Sequence, residues 1–213
     1  MERRHLLALL AGGGTVMTGG FVTLRFDHHR ANENMAENLP DDAERKVTLE
    51  DFDDQSERPI AFEIDIEDPW ITPSSTASFT ITTVNDSDQD QIVSPAFVKG
   101  TSSLFGKPGI VVYNERARDF DVEAYAPPCF FEGADNPGIR TGEVDGEETV
   151  LFTREGHGPD TIPAGESRTE YFIVVDDPTV EGCFPPGVYE FGKDHDYEGA
   201  SGRLKWELRI EKI

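Results

Sequence analysis

From residue 60 onward, apolar and polar positions alternate with a period of two. Across residues 61–67, Phe62, Ile64 and Ile66 fall on one side and Glu63, Asp65 and Glu67 on the other. Successive side chains of a strand point to opposite faces, so this run is a half-buried strand. Pro69 ends it. Residues 76–84 repeat the pattern with Phe79, Ile81 and Thr83, and residues 85–90 form a polar turn. Further apolar runs follow at 92–98, 110–113, 120–125 and 149–153. In the third, Phe120, Val122 and Ala124 alternate. Residues 133–146 form a long loop with turn signals at Asn136-Pro137-Gly138 and Asp145-Gly146. The chain closes on runs at 171–175, 188–191 and 204–210, separated by Pro/Gly turns. These are about nine strands with no helical period between them. That pattern excludes parallel βαβ units and predicts an all-β fold, a single antiparallel sandwich of about 8–9 strands. Trp206 alternates with Leu204 and Leu208 and so belongs to the core. Trp70, between Pro69 and Ile71, is not placed by the pattern.

The closing segment opens with Pro163-Ala-Gly-Glu-Ser167. A strand follows, and then Pro186-Gly187-Val-Tyr-Glu-Phe191. This arrangement resembles the end of immunoglobulin-like domains in bacterial and archaeal surface proteins. The resemblance implies a final hairpin between the Gly-x-Tyr-x-Phe strand and the last strand. Antibody-type hallmarks are missing, since Glu181 stands where a Tyr would precede Cys183 by two. The likeness concerns architecture, because such folds host many functions.

Three segments are expected: an export signal or membrane anchor over 1–25, an acidic flexible linker over 26–59, and the immunoglobulin-like domain over 60–213. Residues 6–24 are uncharged and hold five glycines. As a helix they would be roughly 28 Å long, about one hydrocarbon thickness. Arg3-Arg4-His5-Leu6-Leu7 resembles a twin-arginine signal, although Glu2 replaces the usual hydroxyl residue. The resemblance implies export of a folded protein. No Ala-x-Ala pattern follows Leu24 and no Cys lies near it, so cleavage and retention both stay open. Membrane contact is expected only through residues 6–24, and only if the signal is kept. In the linker, a short strand or helix around 47–52 fits the pattern. His28-His29 reads as a solvated pair.

Charge narrows the picture. The 213 residues hold 42 acidic and 19 basic side chains, for a net −23. The acids are spread along the chain, at Asp41-Asp42, Asp53-Asp54, Glu147-Glu148 and Asp176-Asp177 among others. A dispersed acidic surface suits a halophile and keeps a protein soluble. No basic face exists to neutralise phosphates, which argues against nucleic acid as a partner. With the leader, this composition resembles exported haloarchaeal-type proteins, on the outer face of the plasma membrane or secreted.

Candidate chemistry is sparse. Cys129 and Cys183 are the only cysteines, each followed by Phe and near a Pro-Pro pair. In an exported protein they are expected to form a disulfide, with Phe130 and Phe184 packed over it. A blue-copper site is disfavoured: His195 lies twelve positions after Cys183, and Met1, Met17 and Met35 all precede the domain. Asp86, Asp88 and Asp90 alternate within one turn and form a weak calcium candidate, against the plainer reading of a solvated hairpin. Asp194-His195-Asp196 is read with the same caution. Gly165-Glu-Ser167 lacks the second Gly of a nucleophile elbow. The rival enzymatic reading is an exported hydrolase with a site in residues 133–167, drawing on His157, Asp160 and Ser167. The preferred expectation is a non-catalytic module of the cell envelope or secreted space. It needs no cofactor or metal and contacts an unknown protein or glycan at the cell surface.

Overall fold

The computed structural model describes residues 39–54, 59–93, 99–102, 107–117, 120–130, 139–144, 146–151, 160–197 and 200–213. The described residues form strands and one short 3-10 turn, Pro128–Phe130, with no α-helix among them. The all-β expectation holds, and every strand pairing is antiparallel.

Two principal sheets face each other. One contains β1 (Arg45–Asp54), β3 (Trp70–Ile71), β12 (Gly187–Tyr197) and β13 (Ala200–Lys212), in the order β12-β13-β1-β3. The other contains β2 (Ile60–Asp68), β4 (Ser78–Asn85), β6 (Lys99–Thr101), β7 (Ile110–Asn114) and β11 (Ser167–Asp176), in the order β2-β4-β11-β7-β6. Two small ribbons complete the fold. They pair β5 (Gln91–Val93) with β10 (Asp160–Ile162), and β8 (Arg140–Val144) with β9 (Glu147–Leu151). The thirteen described strands exceed the expected eight or nine. The extra ones are two to five residues long, apart from β1, and too short to carry a visible alternation.

The period-two residues do meet between the sheets. Phe62, Phe79, Ile81 and Phe172 from the five-stranded sheet share one buried cluster with Tyr189, Phe191, Trp206 and Leu208 from the other. Phe79 stacks on Phe172 with centroids 5.1 Å apart, and Phe191 on Trp206 at 5.6 Å. Trp70 is buried and carries Lys46 over its ring, 5.5 Å from the centroid. The closing hairpin forms as the surface-domain resemblance implied, with Tyr189 opposite Leu208 and Phe191 opposite Trp206.

Strand β1 lies inside the stretch read as linker, so the fold takes up residues 45–54. Val47 is buried, and the whole strand pairs with β13. Of the short strand or helix left open at 47–52, the strand is the one that forms, and it runs longer than the acids at Glu50, Asp51, Asp53 and Asp54 suggest. A second difference lies at 120–125, which is an irregular segment and not a strand. Asp121 explains it: its Oδ1 accepts from the Ala124 amide at 3.2 Å and curls the backbone, leaving Ala124 exposed. Phe120, Val122 and Tyr125 still bury themselves. They pack with Ala117 and Val150 over Val111, Tyr113, Ile173 and Val175, and so form a second, smaller core. Part of the outer face of β7 and β11 is therefore covered, and there both strands are apolar on both sides.

Candidate functional site

The outer face of the five-stranded sheet is the place to look for function, because it changes character partway across. Toward β2 it is polar. Strand register lines up Asp65, Thr80 and Tyr171 in one row and Glu63, Thr82 and Thr169 in the next. Odd positions of β2 and β11 and even positions of β4 share this side, since their neighbours fill the core. Thr82 Oγ1 and Thr169 Oγ1 lie 2.8 Å apart, and Thr80 Oγ1 donates to Glu67 Oε1 at 3.3 Å. Glu63, Asp65, Glu67 and Thr169 are exposed, and Tyr171 keeps 37 % of its surface accessible. Among the described residues, no element covers these rows.

Where the polar rows meet the smaller core there is an open cleft of about 360 Å³. Its walls include Ser74, Ser75, Glu115, Glu123, Tyr125 and Tyr171. Local hydrogen bonds position each wall. Thr72 Oγ1 accepts from the amides of Ser74 and Ser75, fixing a tight turn between β3 and β4. The Thr76 hydroxyl donates to the Val174 carbonyl and anchors that turn to β11. The Glu115 amide donates to the Tyr171 carbonyl at 3.1 Å. Tyr125 sits at the floor, its hydroxyl accepting from the Asp176 amide at 3.4 Å, and burial pushes its phenol up. Among the described residues, the lining holds carboxylates, hydroxyls, aromatic rings and the apolar Val122 and Ile173, and no lysine or arginine.

The disulfide lies at one end of the core. Cys129 and Cys183 are bonded, with Cα atoms 5.3 Å apart. Phe184 is fully buried and stacks near Phe130 at 6.3 Å, as the sequence led us to expect. It holds a φ of 42°, a left-handed conformation that a bulky side chain rarely adopts. Its surroundings fix it. The Phe184 amide donates to Asp176 Oδ1 at 2.7 Å, and its carbonyl accepts from Arg45 Nε at 3.1 Å. Arg45 Nη2 reaches the Cys183 carbonyl at 3.0 Å. Gly109 allows Tyr189 into the same corner, since a Cβ there would stand 2.5 Å from Tyr189 Cε1. The Tyr189 hydroxyl donates to the Pro185 carbonyl, and burial pushes its phenol up to about 12.

Asp176 is the titratable group of this corner. Burial pushes its carboxyl up to about 7, and repulsion from Asp177 adds to this. The Phe184 amide and Arg45 pull the other way. The folded state therefore keeps a proton that the unfolded chain releases near the ordinary carboxylate range. Asp176 should make the fold lose stability as pH rises from about 4 to about 7. Asp176→Asn retains an acceptor oxygen and cannot titrate. Comparing melting temperature against pH for the two proteins should show a flatter decline in the variant. Parallel curves would refute this role.

Arg3, Arg4, residues 6–24, His28-His29 and His157 lie outside the described residues. The Asp86–Asp90 turn is built around buried Asn85, whose Nδ2 donates to the carbonyls of Gln89, Ile162 and Pro163. Asp90 Oδ1 accepts from the Ala164 amide. Asp86, Asp88 and Asp90 are exposed, and among the described residues no three His, Cys, Asp or Glu side chains form a metal-holding group. Cys183, bonded to Cys129, has no free thiolate for copper. Ser167 is exposed at the head of β11, while Asp160 lies in an ion cluster. In that cluster Arg116 and Arg168 each approach both Asp160 and buried Glu170, at 2.5–3.7 Å. Asp160 is thus committed to two guanidinium groups, which suits bracing better than triad chemistry. Sequence reasoning missed the cleft, because its walls come from segments around 74, 115, 123 and 171. Compared with family models, characterised proteins and solved structures, the chain matches none.

Proposed function

We propose that this protein is a non-catalytic interaction module of the cell envelope or the secreted space, presenting its polar outer sheet face and cleft to a surface partner. The observation that supports this most is the pairing of a disulfide-braced sandwich with an open, hydroxyl- and carboxylate-lined face on one side of it. Tyr171 stands half exposed at the cleft, where its ring can meet a partner. A disulfide persists in oxidising surroundings, which fits the outside of the cell. The twin-arginine-like leader is the proposed route there, with residues 6–24 as the sole membrane contact if retained. The dispersed −23 charge fits a halophilic setting. The bound partner is a protein or a glycan; nucleic acid does not suit so acidic a surface.

Export provides the direct test. A twin-arginine receptor reads the paired guanidinium groups and not merely their charge. Changing Arg3 and Arg4 together to Lys should leave the protein in the cytoplasm, measured by cell fractionation. Undiminished export of that variant would exclude the route. Labelling of Ser167 by hydrolase-directed probes would overturn the non-catalytic reading.

A further inference from the structure

The geometry points to a neutral saccharide as the ligand of the cleft and its neighbouring rows, an inference that rests on the interaction-module reading above. Three observations lead there. The first is charge. Glu115 and Glu123 line the cleft, and Glu63 and Asp65 begin the rows beside it, with no basic side chain among the described lining residues. An anionic ligand would meet repulsion from these carboxylates. The second is the mixed lining. Protein–protein interfaces gather aromatic, Met and Arg residues at their core and are depleted in Ser and Glu. Here the rows carry Thr and carboxylate, and the cleft sets Ser74, Ser75, Glu115 and Glu123 beside the apolar Val122 and Ile173. Such a surface suits a partner that is itself covered in hydroxyls. The third is Tyr171. Its half-open ring stands at the junction of rows and cleft, on a rigid central strand flanked by β4 and β7.

These groups divide the work of holding a sugar. The Tyr171 ring offers an apolar surface to the C–H face of a pyranose. Glu115 and Glu123 accept hydrogen bonds from ring hydroxyls, and bonds to a charged acceptor are the stronger kind. Ser74 and Ser75 can donate or accept. Thr82 and Thr169 already satisfy one another across β4 and β11, so they extend the polar surface along which further sugar units would lie. A concave site with a few polar groups on rigid supports is how small ligands are generally recognised.

The test uses the full exported chain and a panel of neutral hexasaccharides: gluco-, manno- and galacto-linked. Hexagalacturonate and chitosan hexamer serve as anionic and cationic controls, with titration calorimetry as the readout. At least one neutral oligosaccharide should bind, and hexagalacturonate should not. Tyr171→Ala should weaken that binding by about tenfold or more, the effect typical of a central aromatic contact. Glu123→Gln, on an exposed loop position, should weaken it too while leaving the melting temperature unchanged. Silence across the neutral panel, binding of chitosan alone, or binding indifferent to both substitutions would overturn the inference. A parallel arm measures association of the chain with isolated cell envelopes. Envelope binding that survives Tyr171→Ala, with no oligosaccharide bound, would sink the saccharide and leave the module reading standing. No envelope association, no sugar binding and no export would bring down both.

Discussion

Replacing Cys183 with Ser should lower stability by about 2–5 kcal/mol, and the wild-type protein should show no free thiol when unfolded without reductant. The bridge to Cys129 closes a loop with a sequence separation of 54. In the chain-entropy model, closing a loop of that size is worth about 4 kcal/mol. Native contacts add to the loss. Cys129 sits in the 3-10 turn after the segment that covers the outer face, and Cys183 in the turn leading into β12. The bond thus ties the cover of the smaller core to the closing hairpin of the larger one. Without it, the left-handed Phe184 would be held by its core packing and by the Asp176 and Arg45 hydrogen bonds. Denaturant unfolding of the oxidised protein and the Ser variant measures the difference. A difference below about 1 kcal/mol would mean the corner is held by packing and not by the bond.

Removing Glu170 should cost about 3–5 kcal/mol, the range for a buried pair that loses one partner. Glu170 is 1 % exposed, on the core side of β11, beside Arg168 and Arg116. Among the described residues, Arg116 and Arg168 face two carboxylates, Asp160 and Glu170. Glu170→Ala removes the buried one and leaves Asp160, which is 42 % exposed at its side chain and screened by solvent. Arg168, 18 % exposed at its side chain, then loses its buried partner. The exposed pair of Arg209 and Glu50 has better geometry, with two bonds of 2.5 and 2.7 Å, yet should matter much less because water already solvates both groups. Replacing Arg168 and Glu170 together with apolar residues of similar size should recover much of the loss, since no buried charge is then stranded. Equal destabilisation by Glu170→Ala and by Glu50→Ala would refute the importance of burial here.

The sequence speaks most clearly where one face of a strand meets the core and the other meets water. Phe62, Ile64 and Ile66 announce β2, and Leu204, Trp206 and Leu208 announce β13, because period two survives when the outward residues are polar. The cysteines could be paired on paper because two thiols allow a single bridge. Reading fails where the physics is not local. Strand β1 carries so many acids that the sequence leaves strand and helix open at 47–52 within a linker, and only the pairing with β13 and the burial of Val47 make it part of the fold. The alternation at 120–125 is genuine, but Asp121 captures the Ala124 amide and the apolar residues pack as an irregular cover.

The chain by itself determined its sheet-forming pattern, its acidic surface and its one disulfide, since these follow from the order and kind of side chains. The tertiary structure decided which outward faces remain open. β11 carries Tyr171, Ile173 and Val175 on the same side, two residues apart. Ile173 and Val175 are buried beneath Phe120, Val122 and Tyr125, while Tyr171 stays half open at the rim of the cleft. Nothing local to those three positions separates them. The separation arises because a segment about fifty residues upstream folds back over part of β11 and stops short of the rest, and long-range packing of that kind leaves no period in the sequence.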